Sequence, residues 1–254
     1  MSKWVSRRKV ITAGLATAGG ASGLAVAARL AERYGLIPPD HGGIYGVGGT
    51  LTYASQRLLM SHHSLAREFD RSQISKSAPE NGKPPENETY QRLLAGSFTD
   101  WRLKVDGLVA RPASLSLAEL TSYPSRTQIT HMACEEGWSF IAEWTGVPLS
   151  HVLNLVGVLP QARYAVYFSL DPVWWDSLDM PEAWHPQTLL AYGMNGQKLP
   201  SGHGAPVRMR VARQLGYKSV KHLSRITLTD SLKGFGSGFG SASPDFGYSW
   251  YAGI

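Results

Sequence analysis

The sequence contains a single cysteine, Cys134, among 254 residues. No disulfide can form within the chain, and no c-type haem can be attached, because there is no Cys-x-x-Cys-His motif. A functional lone cysteine acts as a thiolate, either as a nucleophile or as a soft metal ligand. The alternative is an inert side chain in a hydrophobic core, which is a common fate of free cysteine.

Charged residues are also scarce, at 17% of the chain, and most of the net charge of +6 lies at one end. Residues 1–33 hold six basic residues and one acidic residue, so +5 of the +6 belongs to this segment. Nucleic-acid-binding domains carry clustered lysine and arginine on the folded body. Because the rest of this chain is nearly neutral, we expect no nucleic-acid partner.

The N-terminus has the pattern of an export signal. Arg7 and Arg8 precede 19 uncharged residues, from position 10 to position 28, that are rich in alanine and glycine. This order resembles a twin-arginine signal, which exports folded proteins. We expect residues 1–33 to be this signal or an N-terminal anchor in the inner membrane, and the body to be periplasmic. Residues 34–60 are glycine-rich and then helix-like, which predicts a flexible connector.

Residues 61–233 predict one α+β domain, because short strands and short helices follow one another without a βαβ rhythm. Ser116 and Glu119 form a capping-box pattern, and residues 148–158 have an apolar helical face. Residues 101–109 predict two short strands around an Asp106-Gly107 turn. Further strands are predicted at residues 127–130, 164–168, 207–211 and 222–228. Residues 234–254 lack periodicity and predict an irregular tail, or one wrapped on a partner.

Three segments, in this order and spacing, resemble the sulfite oxidase family of molybdopterin-dependent oxidoreductases. Residues 134–139, Cys-Glu-Glu-Gly-Trp-Ser, are similar to the family's cofactor-cysteine segment. Residues 189–208 resemble its pterin-binding stretch, and residues 216–221, Gly-Tyr-Lys-Ser-Val-Lys, resemble the loop that follows. The resemblance covers about residues 60–230. It implies the family's fold, with mixed sheets and short helices, and a molybdenum atom held by a pterin dithiolene and one cysteine.

The resemblance assigns roles to individual positions. Cys134 matches the molybdenum ligand and is therefore also a catalytic candidate. Arg208, Lys218 and Lys221 are donors suited to the anionic phosphate of the cofactor. The positions that match cofactor contacts are Ser64, Arg67, Glu68, Cys134, Ser169, His203, Arg208, Ser219, Val220 and Lys221.

These motifs say less about the substrate than about the cofactor. Trp174 and Trp175 fall where the family's metal site opens, and Asp176 beside them is a candidate for proton transfer. Structural packing is the alternative role of the tryptophan pair. Residues 61–63, Ser-His-His, stand where sulfite-oxidising members have an arginine. Several arginines in the pocket would favour sulfite, whereas a neutral aromatic pocket would favour a sulfoxide.

The resemblance implies a molybdopterin oxidoreductase of a catalytic-domain-only type that moves an oxygen atom to or from a small sulfite-like or sulfoxide-like substrate. Its electrons would be exchanged with a separate redox protein, either a membrane b-type cytochrome or a soluble cytochrome. One alternative is a non-catalytic, cofactor-binding subunit of a membrane electron-transfer complex. Another is a cysteine hydrolase that pairs Cys134 with His131 or His203.

Overall fold

The computed structural model describes residues 21–59, 64–242 and 246–254. The expected twin-arginine motif at Arg7 and Arg8 and the His62-His63 pair lie outside the described residues. The helices are α1 Ala21–Arg33, α2 Val47–Leu59, α3 Glu88–Ala95, α4 Leu117–Ser122, α5 Leu149–Val156 and α6 Met180–Ala183. Short 3-10 helices cover Gly43–Tyr45, Arg71–Gln73, Ser201–His203 and Gly216–Lys218.

The strands form two sheets, one mixed and one antiparallel. They are β1 Arg102–Gly107, β2 Ala113–Ser116, β3 Arg126–Ala133, β4 Ser139–Pro148, β5 Tyr164–Ser169, β6 Trp175–Asp179, β7 Thr188–Met194, β8 Gln197–Lys198, β9 Arg208–Val211 and β10 Leu223–Thr229. One sheet has the order β2-β1-β10-β5-β6, in which only the β1–β10 pair is parallel. The other has the order β3-β4-β7-β8, and β9 also pairs with β7. This arrangement confirms the α+β prediction.

The main hydrophobic core joins the two sheets. It takes Val105 and Ile226 from the first sheet and Leu190 from the second, all fully buried. Helix α5 adds its apolar face, Leu149, Val152, Leu153 and Val156. The four side chains recur at helical spacing, so their burial confirms the helix predicted from that pattern.

The predictions made from short-range sequence patterns have different outcomes at α4 and at β1. At α4 the Ser116 hydroxyl accepts from the Glu119 amide at 3.1 Å, and the Ser116 amide donates to the Glu119 carboxylate at 2.7 Å, which confirms the capping box. The predicted Asp106-Gly107 hairpin turn is wrong. Strand β1 continues through Gly107, which pairs with Leu228 of β10 at φ +86°. A Cβ atom there would lie 2.1 Å from the Leu228 carbonyl oxygen, so glycine permits the close approach of two strands.

The segment that precedes the domain is docked on it. Tyr53 of α2 donates to Asp179 at 2.9 Å, and Arg57 reaches Asp179 at 2.7 Å and Glu182 at 3.4 Å. The flexible connector expected for residues 34–60 is thus held by ion pairs over its helical part. Among the described residues, none of the helices combines the length and the apolar character needed to cross a bilayer.

The described part of the tail is mostly irregular, and it packs on its own chain. Trp250 is buried, its indole donates to the Ser177 hydroxyl at 2.8 Å, and its amide donates to Asp40 at 2.7 Å. The hydrogen bond between Trp250 and Asp40 therefore joins the tail to the segment that precedes the domain, next to β6.

Candidate active site

One cleft collects most of the residues singled out in the sequence. It encloses about 880 Å³, including its open mouth, beside the turn between β3 and β4. The predicted residues that line it are Cys134, Ser169, His203, Arg208, Ser219, Val220 and Lys221. They come from loops and strand ends far apart in the sequence, so the fold brings this set together at one place.

A tight turn presents Cys134 at the end of β3. The Cys134 amide donates to the Trp138 carbonyl at 2.9 Å, and the Gly137 amide donates to the Cys134 carbonyl at 3.1 Å. Gly137 has φ +90°, a conformation that favours glycine. The turn fixes the backbone on both sides of the thiol, which is the geometry a single metal ligand requires.

The surroundings of the Cys134 thiol do not suit a hydrolase nucleophile. Its sulfur lies 3.7 Å from the Asn81 side-chain nitrogen and 3.3 Å from a Glu135 carboxylate oxygen, and no hydrogen bond joins it to His131 or His203 within the described chain. Burial raises the pKa of the thiol to about 11, which keeps it protonated at neutral pH. A nucleophilic cysteine has a depressed pKa and a base in reach. The hydrolase alternative is therefore disfavoured.

Arg208 is a buried cation that faces the cleft without a carboxylate. Its Nη1 donates to the His203 carbonyl at 2.9 Å and its Nη2 to the Ser219 carbonyl at 2.7 Å. Its Nε has no hydrogen-bond partner among the described residues, and burial lowers the pKa of the guanidinium to about 9. An uncompensated buried charge is costly, and an anion in the cleft would offset that cost.

The turn after the 3-10 helix Gly216–Lys218 adds further polar groups to the same wall. Lys221 donates to the Asn81 carbonyl at 2.6 Å and to the Gly202 carbonyl, and burial, aided by Arg208, lowers its pKa to about 8. His222 Nδ1 lies 2.8 Å from the Ala205 carbonyl, which can only accept, so this nitrogen carries the proton. His222 Nε2 is left buried without a described partner.

These groups fit a molybdenum–pterin cofactor. The cleft offers one thiol, a buried guanidinium without a counter-ion and an ammonium at the same wall, which suits a soft metal and an anionic phosphate. No group of three or more histidine, cysteine, aspartate or glutamate side chains in the described ranges could hold a metal ion. A metal at Cys134 would therefore need ligands brought by a cofactor, as a dithiolene would bring them.

Two residues expected to act on the substrate lie behind the cleft wall. Asp176 is fully buried and forms an ion pair with Lys218, which is also fully buried. Neither residue lines the cleft, so this geometry does not support the proton-transfer role expected for Asp176 or the phosphate role expected for Lys218. Trp175 is half-buried and packs between Phe168, at 6.2 Å, and Phe235, at 6.3 Å. Of the tryptophan pair, only Trp174 lines the cleft.

The loosely aligned N-terminal positions also lie outside the cleft lining. Glu68 pairs with Arg126 at 2.5 Å on the edge of β3, and the Arg67 guanidinium lies 4.8 Å from the Phe69 ring centroid. The Ser64 carbonyl accepts from Arg213 at 3.1 Å. The contacts of Glu68 and Ser64 fasten the segment to the domain, whereas Arg67 contacts a ring of its own segment, and none of the three lines the cleft.

Several lining residues carried no signal for the site in the sequence. The segment that contains Asn81, Gly82 and Lys83 had the composition of a surface loop, yet it forms one side of the cleft. Its asparagine–glycine pair indicates a turn but not where the turn docks. His222, assigned to a strand, instead has φ +55° before β10 and lines the cleft.

The remaining walls are mainly aromatic. The aromatic lining residues are Trp138, Phe140, Trp174 and Tyr217, apart from the imidazoles. Arg208 is the one arginine among the described residues that line the cleft. The space in front of Cys134 is therefore apolar over much of its surface, with its positive charge concentrated at Arg208, Lys221 and Lys83.

Comparison with known proteins gives consistent matches. A family model described as "Oxidoreductase molybdopterin binding domain" matches residues 92–234. The "Putative protein-methionine-sulfoxide reductase subunit YedZ1" of Azospira oryzae is 36% identical over 198 residues, which cover 78% of this chain and 71% of that protein.

Other relatives share a shorter region. The "Protein-methionine-sulfoxide reductase catalytic subunit MsrP" of Xanthomonas axonopodis pv. citri is 38% identical over 53% of this chain, and its namesake from Ralstonia nicotianae is 37% identical over 51%. The matches span 47% and 44% of those two proteins, so the chain spans about half their length. The crystal structure of the sulfane dehydrogenase SoxCD from Paracoccus pantotrophus matches 52% of this chain and 39% of its own, with 26% identity and a TM-score of 0.50.

Proposed function

This chain belongs to the sulfite oxidase family of molybdopterin-binding oxidoreductases, and from that premise we propose that it reduces sulfoxides. The observation that carries the proposal is the cleft lining, with four aromatic side chains and Arg208 as its one arginine among the described residues. Sulfite is an anion whose recognition calls for several charged donors. A sulfoxide is neutral, and its sulfur and methyl groups pack favourably on aromatic rings.

Different residues of the chain would hold different parts of the cofactor. Cys134 would bind the metal through its sulfur, and Arg208 and Lys221 would pair with the anionic phosphate. When bound, the molybdenum–pterin group supplies two-electron oxygen-atom exchange. Lys221 also joins two segments, because its ammonium donates to the carbonyls of Asn81 and Gly202 and so holds the loop around Asn81 beside the cleft.

The overall reaction requires two electrons and two protons at the cleft. The S–O bond of the sulfoxide breaks, the sulfur gains two electrons, and the oxygen leaves as water with two added protons. The sequence has no Cys-x-x-Cys-His motif to attach a haem to this chain, and the electrons would come from a separate redox protein, a membrane b-type cytochrome or a soluble cytochrome. Trp138 and Phe140 supply apolar surface at the cleft wall, where the sulfoxide would bind.

The location is part of the same proposal. Arg7 and Arg8 before an uncharged segment support export in folded form to the periplasm, after the cofactor has been inserted. Replacing both arginines with lysine should leave the protein in the cytoplasm, which cell fractionation would detect. Export that is unchanged in this double variant would contradict the route.

A steady-state comparison of two substrates tests the function. Molybdenum-loaded protein is assayed with a reduced viologen and dimethyl sulfoxide, and separately with sulfite and ferricyanide. We expect sulfoxide reduction with a much higher kcat/KM than sulfite oxidation. Faster turnover of sulfite would overturn the proposal, and a fully loaded protein inert towards both would favour an accessory, cofactor-binding subunit.

A further inference from the structure

A second cavity lies next to the active-site cleft. It encloses about 1620 Å³ of empty space, open to solvent, between the segment 38–56 and the tail residues 247–253. Both segments lie outside residues 92–234, which the family model matches. The cavity is thus built by the two ends of the described chain on the surface of the shared domain.

Two side chains are shared by the walls of this cavity and of the cleft. Glu135, next to Cys134, and Tyr217 line both spaces. The tail holds Tyr217 in place, because its hydroxyl donates to the Ser249 carbonyl at 2.6 Å and its ring stacks on Tyr248 at 5.6 Å. The cleft and the second cavity therefore adjoin at Glu135 and Tyr217.

The walls of the second cavity suit a polypeptide. Ile44 and Tyr45 are 73% and 68% exposed and offer apolar surface, while glycines such as Gly48 and Gly247 leave room for another backbone. The usable volume of this cavity is about 830 Å³, which is within the roughly 300–1,000 Å³ of ligand pockets but more than a small sulfoxide fills. The remaining space, and its position beside the cleft, suit a substrate longer than one side chain.

We propose that the groove between segment 38–56 and tail 247–253 binds the polypeptide that flanks a methionine sulfoxide residue whose side chain enters the cleft. This inference rests on the proposed sulfoxide reduction. The relatives' names, which specify protein methionine sulfoxide, are compatible with it but assign no such groove.

Gly48→Trp tests the groove by filling it. Gly48 lines the cavity on α2, and a Cβ atom there would have no neighbour within 4 Å. Replacing glycine within a helix also removes a helix-destabilising residue, so folding should not suffer. Val47→Trp is the matched control, because Val47 is 77% exposed on the same helix but does not line the groove.

Two readouts are measured on molybdenum-loaded protein. The first is kcat/KM for a peptide with one central methionine sulfoxide and for dimethyl sulfoxide, and the second is binding of the same peptide carrying a fluorescent label. We expect Gly48→Trp to lower both peptide binding and peptide kcat/KM by about tenfold, the loss that corresponds to 1.4 kcal/mol. Dimethyl sulfoxide reduction should be unchanged, and Val47→Trp should behave as wild type.

The outcomes distinguish a failure of the proposed groove from a failure of the proposed reaction. Equal losses for peptide and dimethyl sulfoxide, or unchanged peptide binding in Gly48→Trp, would overturn the groove. Wild-type protein that binds the peptide, loses it in Gly48→Trp and yet reduces neither sulfoxide would overturn the proposed function alone. If Ile44→Ser with Tyr45→Ser lowers binding to phospholipid vesicles and leaves peptide binding intact, the surface serves a membrane and the groove proposal fails.

Discussion

Lys218 and Asp176 form an ion pair that is completely enclosed behind the active-site cleft, with side chains 0% and 1% exposed. The Lys218 ammonium also lies 4.9 Å from the ring centroid of Trp250. Tyr217 and Ser219, which flank Lys218 in sequence, line the cleft. The pair therefore anchors the turn that forms the cofactor wall to β6 and to the tail.

Arg208 should be specifically required for the cofactor. Replacing it with methionine removes the buried charge that faces the cleft, and we expect the pterin and molybdenum content of the purified protein to fall at least about tenfold. Arg210 is the matched control, since it is equally buried over the Trp144 ring but donates to Thr130 and to the His131 carbonyl. Arg210→Met should lower stability while the folded fraction keeps its cofactor. Equal loss of cofactor in both variants would contradict the assignment.

The two adjacent tryptophans should behave differently. Trp174→Ala removes a wall of the cleft, so we expect KM for dimethyl sulfoxide to rise several-fold with kcat little changed. Trp175→Ala removes a ring that packs on Phe168 and Phe235, so it should lower the urea midpoint and leave KM unchanged. The reverse pattern would show that Trp175, and not Trp174, contacts the substrate.

Helix α2 should depend on Arg57. Its guanidinium pairs with Asp179 and Glu182, whose side chains are 8% and 1% exposed, so Arg57→Ala leaves buried carboxylates without this partner. We expect a loss of about 3–5 kcal/mol in the free energy of unfolding. Arg225→Ala, which breaks the exposed pair with Asp106, should cost about 1 kcal/mol or less. Similar losses in the two variants, measured by urea denaturation, would show that α2 is not held by this network.

Acid should destabilise the protein below pH 6.5. His185, His203 and His222 are buried, and burial lowers the pKa of each to about 4. Since the unfolded chain keeps pKa values near 6.5, it binds more protons between pH 6.5 and 4. The stability contributed by the neutral rings is complete above pH 6.5 and is lost as the pH falls towards 4, by on the order of 3 kcal/mol per ring at most.

His222→Asn isolates one of these rings. Asparagine tolerates the φ of +55° at this position and does not titrate. Urea unfolding at several pH values should show a shallower acid loss in this variant than in wild type, because two of the three rings remain. An acid loss as steep as in wild type would mean that His222 does not contribute.

Local patterns in the sequence gave reliable predictions, and long-range partners did not. The capping box at Ser116 and the apolar stripe of α5 depend on residues within two turns of helix, so the sequence contains the whole signal. Asp176 looked like a catalytic carboxylate because its partner, Lys218, lies 42 residues away. The Asp106-Gly107 pair looked like a hairpin turn because its strand partner, β10, comes more than a hundred residues later.

The same reasoning explains which part of the site was predicted. Cys134, Arg208 and Lys221 belong to motifs with a family resemblance, and the fold places all three at one cleft. Asn81 belongs to no such motif, and Tyr217 lies within one that assigned it no role, because their places in the cleft depend on how a polar loop and a short 3-10 helix pack on the sheets. The second cavity depends on the docking of both chain ends, which no local pattern could show.

The number of sulfur atoms bound to molybdenum tests the central claim most directly. X-ray absorption on the loaded protein should find three sulfur neighbours, two from the dithiolene and one from Cys134. In Cys134→Ser the same measurement should find two, with sulfoxide reduction lost. Three sulfur neighbours in the variant, or no molybdenum in the exported wild-type protein, would contradict the assignment of Cys134 as the metal ligand.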